Sequence, residues 1–136
     1  MPSPLPIQRL HHVSLVTRDT EASKAFYCNV LGFRELERPN FNFRGAWLYN
    51  YGLQIHLIEN PRAPGERNEN LDRRADPIAF AVEDDSEVIP ILEQHGIPCR
   101  RQVNAGGIRQ TFFHDPDGHH IEIAVYPPNP AYKDEG

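Results

Sequence analysis

The chain has 136 residues, of which 39% are hydrophobic and 24% charged, and its formal net charge is −5. These values predict a soluble globular domain with a sizeable core, and an acidic chain without a basic block disfavours nucleic acid as a partner. No apolar run approaches the ~20 residues that a membrane-spanning helix needs. The N-terminus lacks the features of a signal peptide, and Cys28 and Cys99 show no metal or redox spacing, so we expect a reduced, cytoplasmic protein.

The first part of the chain predicts the order βαβββ. Alternation of apolar with polar residues, which is the period of a half-buried strand, predicts strands over 10–17, 33–37, 44–51 and 53–58. Between the first two strands, Asp19 or Thr20 is expected to cap a helix that ends before Gly32. The apolar stripe of this helix is predicted to consist of Ala22, Ala25, Phe26 and Val30.

The pattern then starts again after a polar stretch. Residues 59–75 contain many turn formers and few apolar residues, which predicts a linker. Beyond it, alternation predicts strands over 77–82, 99–103, 108–114 and 119–126. The second helix carries Val88, Ile91 and Leu92, and Pro90 must lie in or next to its first turn.

The repeat predicts the fold class. We expect an α+β fold in which two βαβββ modules, 9–58 and 76–126, form curved mixed sheets around a cleft. The modules together would make a single domain, 9–126, followed by a C-terminal tail over 127–136. Each module alone is too small to bury its own core well.

Three side chains that can bind a metal share the smaller, more polar face of the predicted strands. His12 alternates with the aliphatic residues of the first strand, and superposing the strands 53–58 and 120–125 at an offset of 66 residues places His56 at Glu122. Two neutral imidazoles and one carboxylate suit Zn, Ni, Fe(II) or Mn and leave coordination positions open. We therefore predict His12, His56 and Glu122 as ligands of one divalent metal ion.

The other histidines and the pocket candidates rest on residue type and strand position. Strand parity places His11 on the aliphatic face, as a structural or hydrogen-bonded histidine. His120 shares the face of Glu122 and could line the cleft. Further candidates for substrate binding are Arg44, Trp47, Arg109 and Tyr126. The remaining histidines, assigned to the surface or to turns, are His95, His114 and His119.

Two motifs resemble the vicinal oxygen chelate superfamily, which includes glyoxalase I, the bleomycin-resistance proteins, the fosfomycin-resistance enzymes and the extradiol dioxygenases. The first consists of His12-Val-Ser-Leu, Asp19, Ala25-Phe-Tyr27 and Val30-Leu-Gly-Phe33. The second is Asp115-Pro-Asp-Gly-His-His-Ile-Glu122. The resemblance covers residues 9–126, and the stretch 43–56 is similar to the glyoxalase I-like branch of plants and bacteria.

The resemblance implies paired modules around a divalent metal and a small substrate that chelates this metal through adjacent oxygens. It also implies four ligand positions, which hold His12, His56, Pro77 and Glu122 here. Proline cannot bind a metal, whereas glyoxalase I typically uses all four positions, and the dioxygenases and fosfomycin enzymes use those of His12, Pro77 and Glu122. Position 56 often carries a catalytic glutamate in glyoxalase I, so His56 or Glu122 is the expected base.

The first functional hypothesis is a glyoxalase I-like, metal-dependent lyase or isomerase. One alternative is an Fe(II) ring-cleaving dioxygenase of the extradiol type, since two histidines and a carboxylate suit Fe(II) and O₂. The other is a metal-free protein that binds or sequesters a small molecule, as Pro77 would allow. Related folds often dimerise, and the sequence leaves a homodimer, the substrate, the metal and glutathione dependence open.

Overall fold

The computed structural model describes residues 2–62 and 76–133. The chain divides into two compact units, Met1–Gly65 and Glu66–Gly136. Of the predicted linker, residues 63–75 lie outside the described residues, as do residues 134–136 of the predicted tail. In the described part of the chain, no helix has the length and hydropathy that a membrane span requires.

The first unit has the predicted βαβββ order. Its elements are β1 (Val13–Thr17), α1 (Thr20–Asn29), β2 (Arg34–Leu36), β3 (Gly45–Asn50) and β4 (Leu53–Glu59). They form a four-stranded sheet in the order β1-β4-β3-β2, in which β1 and β4 are parallel and the other neighbours antiparallel. The ladder begins where Val13 pairs with Ile55, so the first strand is shorter than the predicted 10–17, and His11 and His12 precede it.

Helix α1 begins as predicted but buries a different face. Asp19 is the N-cap, and its Oδ1 accepts a hydrogen bond from the backbone N–H of Ala22 at 3.2 Å. The chain leaves the helix through Gly32, whose φ of +80° is one that glycine adopts without strain. The buried residues of α1 are Thr20, Ser23, Phe26 and Tyr27. Ala22 and Ala25 are exposed, so their assignment to the buried stripe was wrong.

The second unit repeats the first. Its elements are β5 (Ile78–Ala81), α2 (Val88–Gln94), β6 (Arg100–Val103), β7 (Arg109–His114) and β8 (His120–Ala124). The sheet order is β5-β8-β7-β6, again with one parallel pair, β5 and β8. Ile78 pairs with Ile121 as Val13 pairs with Ile55. The α+β fold with two mixed sheets is therefore confirmed.

Helix α2 accommodates its proline where the sequence predicted. Pro90 is the third residue of the helix, in the first turn, where the N–H that proline lacks has no intrahelical partner. The N-cap is Glu87, without a side-chain capping hydrogen bond. Asp84, which corresponds to Asp19 in the repeat, instead accepts from the backbone N–H of Ser86 at 2.9 Å.

The central strands β4 and β8 are buried on both faces. In β4 the run Ile55, His56 and Leu57 is buried, and in β8 the run is Ile121–Ala124. In the first unit, the buried apolar residues besides those of β4 are Phe26, Tyr27, Phe33, Ala46 and Leu48. A polar side chain on a central strand is consequently held among buried neighbours, which fixes its direction.

Replacement of Leu48 tests the first core. Leu48 is fully buried in β3, so Leu48→Ala should lower the free energy of unfolding by about 2–5 kcal/mol through lost burial and the cavity left behind. Leu5→Ala removes the same atoms at a position that is 79% exposed and should change it by less than about 0.5 kcal/mol. Urea unfolding of both variants measures this, and equal losses would contradict the assigned core.

Candidate functional site

The first group of candidate residues is built around His56 on the central strand of the first sheet. In the register of that sheet His56 pairs with Ser14 of β1 and with Trp47 of β3. Its ring stacks on Trp47 with centroids 4.3 Å apart and an interplanar angle of 7°, and on His12 with centroids 3.8 Å apart at 12°. Since β4 lies between β1 and β3, the two rings flank His56 and hold its plane.

The environment of His56 favours its neutral form. The side chain is only 8% exposed, and its burial, together with the nearby His12, His11 and Arg38, lowers the pKa of His56 below its usual value. Its Nε2 donates to Oε1 of Gln54 at 2.6 Å, which leaves Nδ1 as the atom with a lone pair. A neutral imidazole whose second nitrogen is held by a polar neighbour is the form in which histidine binds metals.

His11 joins this group, which the sequence did not predict. Its Nδ1 lies 2.8 Å from Nδ1 of His12, and the two rings meet edge to face with centroids 5.0 Å apart. Strand parity placed His11 on the aliphatic face, and this was wrong because the ladder begins only at Val13. Alternation of side chains holds inside a strand and not in the residues that lead into it.

The candidate residue of the second unit is Glu122. It lies on the central strand β8, is 5% exposed, and pairs with Ala79 of β5 and Phe112 of β7. Its Oε2 accepts a buried hydrogen bond from Nε2 of Gln110 at 3.2 Å. Glu122 thus holds the same register in its sheet that His56 holds in the other, between the first and third strands of a βαβββ unit.

The other predicted site residues lie in several different surroundings. Trp47 is half-buried and stacks on His56, as described. Arg44 precedes β3, is mostly exposed, and lies 3.6 Å from Oε2 of Glu59 through its Nε. His120 opens β8 opposite His114. Tyr126 follows the end of β8 and is 37% exposed.

Arg109 makes a two-pronged ion pair within the second unit. Its Nε lies 2.8 Å from Oδ2 of Asp85 and its Nη2 lies 2.7 Å from Oδ1, the bidentate geometry that a guanidinium forms with a carboxylate. The pair ties β7 to the segment that leads into α2. The hydrogen bond from Arg109 holds the pKa of Asp85 below its ordinary value. A part of Arg109 in binding substrate stays a prediction.

A separate group at the β7–β8 turn could hold a metal ion. The ligand atoms of Asp115, Asp117 and His119 all lie within 4.8 Å of one another. Asp115 also shapes the turn, because its Oδ1 accepts hydrogen bonds from the backbone N–H groups of Asp117 at 2.8 Å and His119 at 2.9 Å. The sequence predicted the turn and missed the convergence of donor atoms, although the spacing Asp-x-Asp-x-His was the available signal.

These two mixed sheets with their repeated βαβββ order define the class of protein. The chain belongs to the Glyoxalase/Bleomycin resistance protein/Dioxygenase superfamily, whose family model matches residues 9–123. It is 40% identical over 126 residues to Glyoxylase I 4 of Arabidopsis thaliana, covering 89% of this chain and 72% of that protein.

Bacterial relatives and solved structures agree with this assignment. A lactoylglutathione lyase of Salmonella typhimurium is 31% identical over 123 residues, which cover 85% of this chain and 90% of that protein. The structure of a glyoxalase family protein from Enterococcus faecalis superposes with a TM-score of 0.67 at 28% identity, over 88% of this chain and 99% of that one. The fold of a glyoxalase/dioxygenase from Nostoc punctiforme matches with a TM-score of 0.73 at 24% identity, over 93% and 97%.

The Asp85–Arg109 ion pair should make the thermal stability of the protein depend on pH in the acidic range. Because the folded pKa of Asp85 is lowered, its contribution is present above the unfolded value of about 3.9 and is lost as the pH falls through the folded pKa. Asp85→Asn should therefore lower the Tm at pH 7, and the difference from the parent should shrink below about pH 4. Thermal unfolding followed by circular dichroism between pH 3 and 7 measures it. A difference that is constant with pH would contradict the ion-pair origin.

Proposed function

We propose that the protein is a glyoxalase I-like, metal-dependent lyase or isomerase that acts on a small substrate with two adjacent oxygens. The observation that carries the proposal is the matched placement of His56 and Glu122, each buried on the central strand of one of two repeated sheets. Family membership and the relatives named glyoxylase I and lactoylglutathione lyase support the same reaction class.

The proposed metal ligands are His12, His56 and Glu122, and the donor chemistry of this set fits a divalent ion. His56 is neutral and held by Gln54, and Glu122 keeps one oxygen on Gln110, so both are oriented by a polar neighbour as metal ligands usually are. Two imidazoles and one carboxylate suit Zn, Ni, Fe(II) or Mn. When bound, such an ion would polarise the substrate oxygens as a Lewis acid.

The residues of the chain would move the proton. In an isomerisation of a hydroxy-carbonyl compound, a base takes a proton from one carbon and returns it to its neighbour. Glu122 and His56 are the two candidates, through a carboxylate oxygen and through Nδ1. The hydrogen bond from Gln110 holds the Glu122 carboxyl in place while the proton is transferred, and Gln54 does the same for the imidazole.

The substrate would be bound by aromatic and cationic side chains. Trp47 presents a flat apolar surface beside His56, and Arg44, Arg109, His120 and Tyr126 are proposed as further contacts. We propose in addition that residues 9–126 act as one glyoxalase-like domain. A cytoplasmic location and a homodimer stay predictions.

Ligand variants test the proposal. The full chain, loaded with Zn²⁺, Ni²⁺, Mn²⁺ or Fe²⁺ in turn, would be assayed for isomerisation of a hemithioacetal formed from a 2-oxoaldehyde and glutathione. His56→Ala and Glu122→Gln should each lower kcat/KM by at least about 100-fold, beyond the 10–100-fold typical of an outer-shell change. His95→Ala, at an exposed histidine that ends α2, is the matched control and should leave it unchanged.

Three outcomes would count against this reaction. Full metal content and activity in His56→Ala would remove the proposed centre. Turnover that requires O₂ and only Fe²⁺ would assign the dioxygenase reaction. The third outcome is tight binding of a small molecule by protein that elemental analysis shows to be metal-free, together with no turnover after loading with any of the four metals. This result would assign a binding protein.

Gln54 should raise the affinity for the metal by orienting His56. Because Gln54 accepts the Nε2–H of His56 at 2.6 Å, Gln54→Leu removes the group that fixes its tautomer. We expect metal affinity to fall by about 10–100-fold with the fold intact, as measured by competition with a chromophoric chelator. The conservative variant Gln54→Glu should restore most of the affinity, since a carboxylate also accepts this hydrogen bond. Equal affinity in Gln54→Leu and the parent would exclude the positioning role.

A further inference from the structure

Two histidines face each other beside the β7–β8 turn, apart from the ligands proposed above. His114 ends β7 and His120 opens β8, and they are direct partners in the antiparallel register. Their Nε2 atoms lie 3.2 Å apart, and their rings are perpendicular, with an interplanar angle of 89° and centroids 4.5 Å apart. Both side chains are half-buried.

The spacing of the two nitrogens is the spacing that a shared ion requires. A Zn–N bond is about 2.0–2.1 Å, so two nitrogens on one tetrahedral ion lie about 3.3–3.4 Å apart, and two neighbouring nitrogens at a right angle about 2.9 Å apart. The observed 3.2 Å falls between these values. An ion could therefore bind both nitrogens with little movement of either ring.

The turn holds this pair in place before any ligand arrives. The backbone N–H of Asp115 donates to the carbonyl of His119 at 3.0 Å, and that of Gly118 donates to the carbonyl of Asp115 at 3.0 Å. Together with the two hydrogen bonds accepted by Oδ1 of Asp115, they keep the ends of β7 and β8 from fraying. Binding then costs little ordering of the chain.

We propose that His114 and His120 form a cross-strand site for a borderline divalent cation such as Zn²⁺, Cu²⁺ or Ni²⁺. Imidazole nitrogen selects these ions over Mg²⁺ and Ca²⁺, which prefer oxygen ligands. Asp115 and Asp117 in the adjoining turn add negative charge that attracts a cation. The site shares no metal ligand with His12, His56 or Glu122, although its His120 is also one of the proposed substrate contacts, so Zn²⁺ binding rather than turnover is the measurement that tests it.

Zn²⁺ binding by the full chain tests this site. Chelator-treated protein would be titrated with Zn²⁺ alone in a calorimeter, comparing the parent with His114→Asn, His120→Asn and the control His95→Ala. Each of the first two variants should lose one class of bound Zn²⁺ or bind it at least about tenfold more weakly. His95→Ala should bind like the parent. A fourth variant, His56→Asn, should keep this class whether or not the lyase proposal holds.

The competing arrangement is a plain N–H···N hydrogen bond between the two rings. In that case His114→Asn and His120→Asn would bind Zn²⁺ as His95→Ala does, and this result would overturn the proposal. Nitrogen-15 spectra of the histidine side chains in the parent give a second readout that needs no variant. Zn²⁺ should shift the Nε2 signals of both His114 and His120, and unchanged signals would likewise exclude the site.

Discussion

The pairing of each first strand with the last strand of its module is the constraint on which both halves of the structure depend. Val13 on Ile55 and Ile78 on Ile121 set the only parallel registers in the described sheets. A slip of one residue would turn His56 or Glu122 to the opposite face of its strand. The aliphatic residues on the other face oppose such a slip, because it would remove them from the neighbours against which they pack. Burial of ordinary leucines and isoleucines thereby fixes the direction of the His56 and Glu122 side chains.

The two units have the same strand register but carry different side chains at the central position. At the central position the first sheet has an imidazole stacked between an indole and a second imidazole, whereas the second sheet has a carboxylate between Ala79 and Phe112. Just before the first strand, His12 in one unit corresponds to Pro77 in the other. Of the three proposed ligands, the first unit therefore carries the two imidazoles and the second the carboxylate.

Most of the fold followed from the sequence because period-2 alternation and turn residues are local signals. Every predicted strand is present. β4 is one residue longer than predicted, and the others are shorter by one to three residues at one or both ends. Asp19, Gly32 and Pro90 lie where capping and turn chemistry predicted. In the stripe of α1, Phe26 is buried as predicted, but Ala22 and Ala25 were assigned incorrectly, because alanine counts as apolar by type but buries too little surface to choose a face. Thr20 and Ser23 are buried because Phe26 and Tyr27 determine which side of the helix meets the sheet.

The positions of the candidate residues were predictable only inside strands. Alternation placed His56 and Glu122 at matching positions of β4 and β8, and it failed for His11 because no ladder constrains a residue before Val13. Gln54 and Gln110, the hydrogen-bond partners of His56 and Glu122, could not be found from one sequence, since a hydrogen bond between side chains produces no periodic pattern in the sequence. The same limit hid the pairing of Arg109 with Asp85, which are separated along the chain and meet only in the folded unit.

Because β1 joins β4 rather than a neighbour in sequence, neither sheet is complete until its last strand has been made. Long-range closure of this kind is slow relative to hairpin formation, since the loop entropy is lost before the contacts are gained. During synthesis the hairpin of β3 and β4 would be available first and would serve as the template on which β1 docks. The first sheet could then be complete once residue 59 leaves the ribosome, before the last strands of the second sheet emerge. Synthesis from the N-terminus would in this way keep the strands of the two repeats, which share one topology, from pairing with each other.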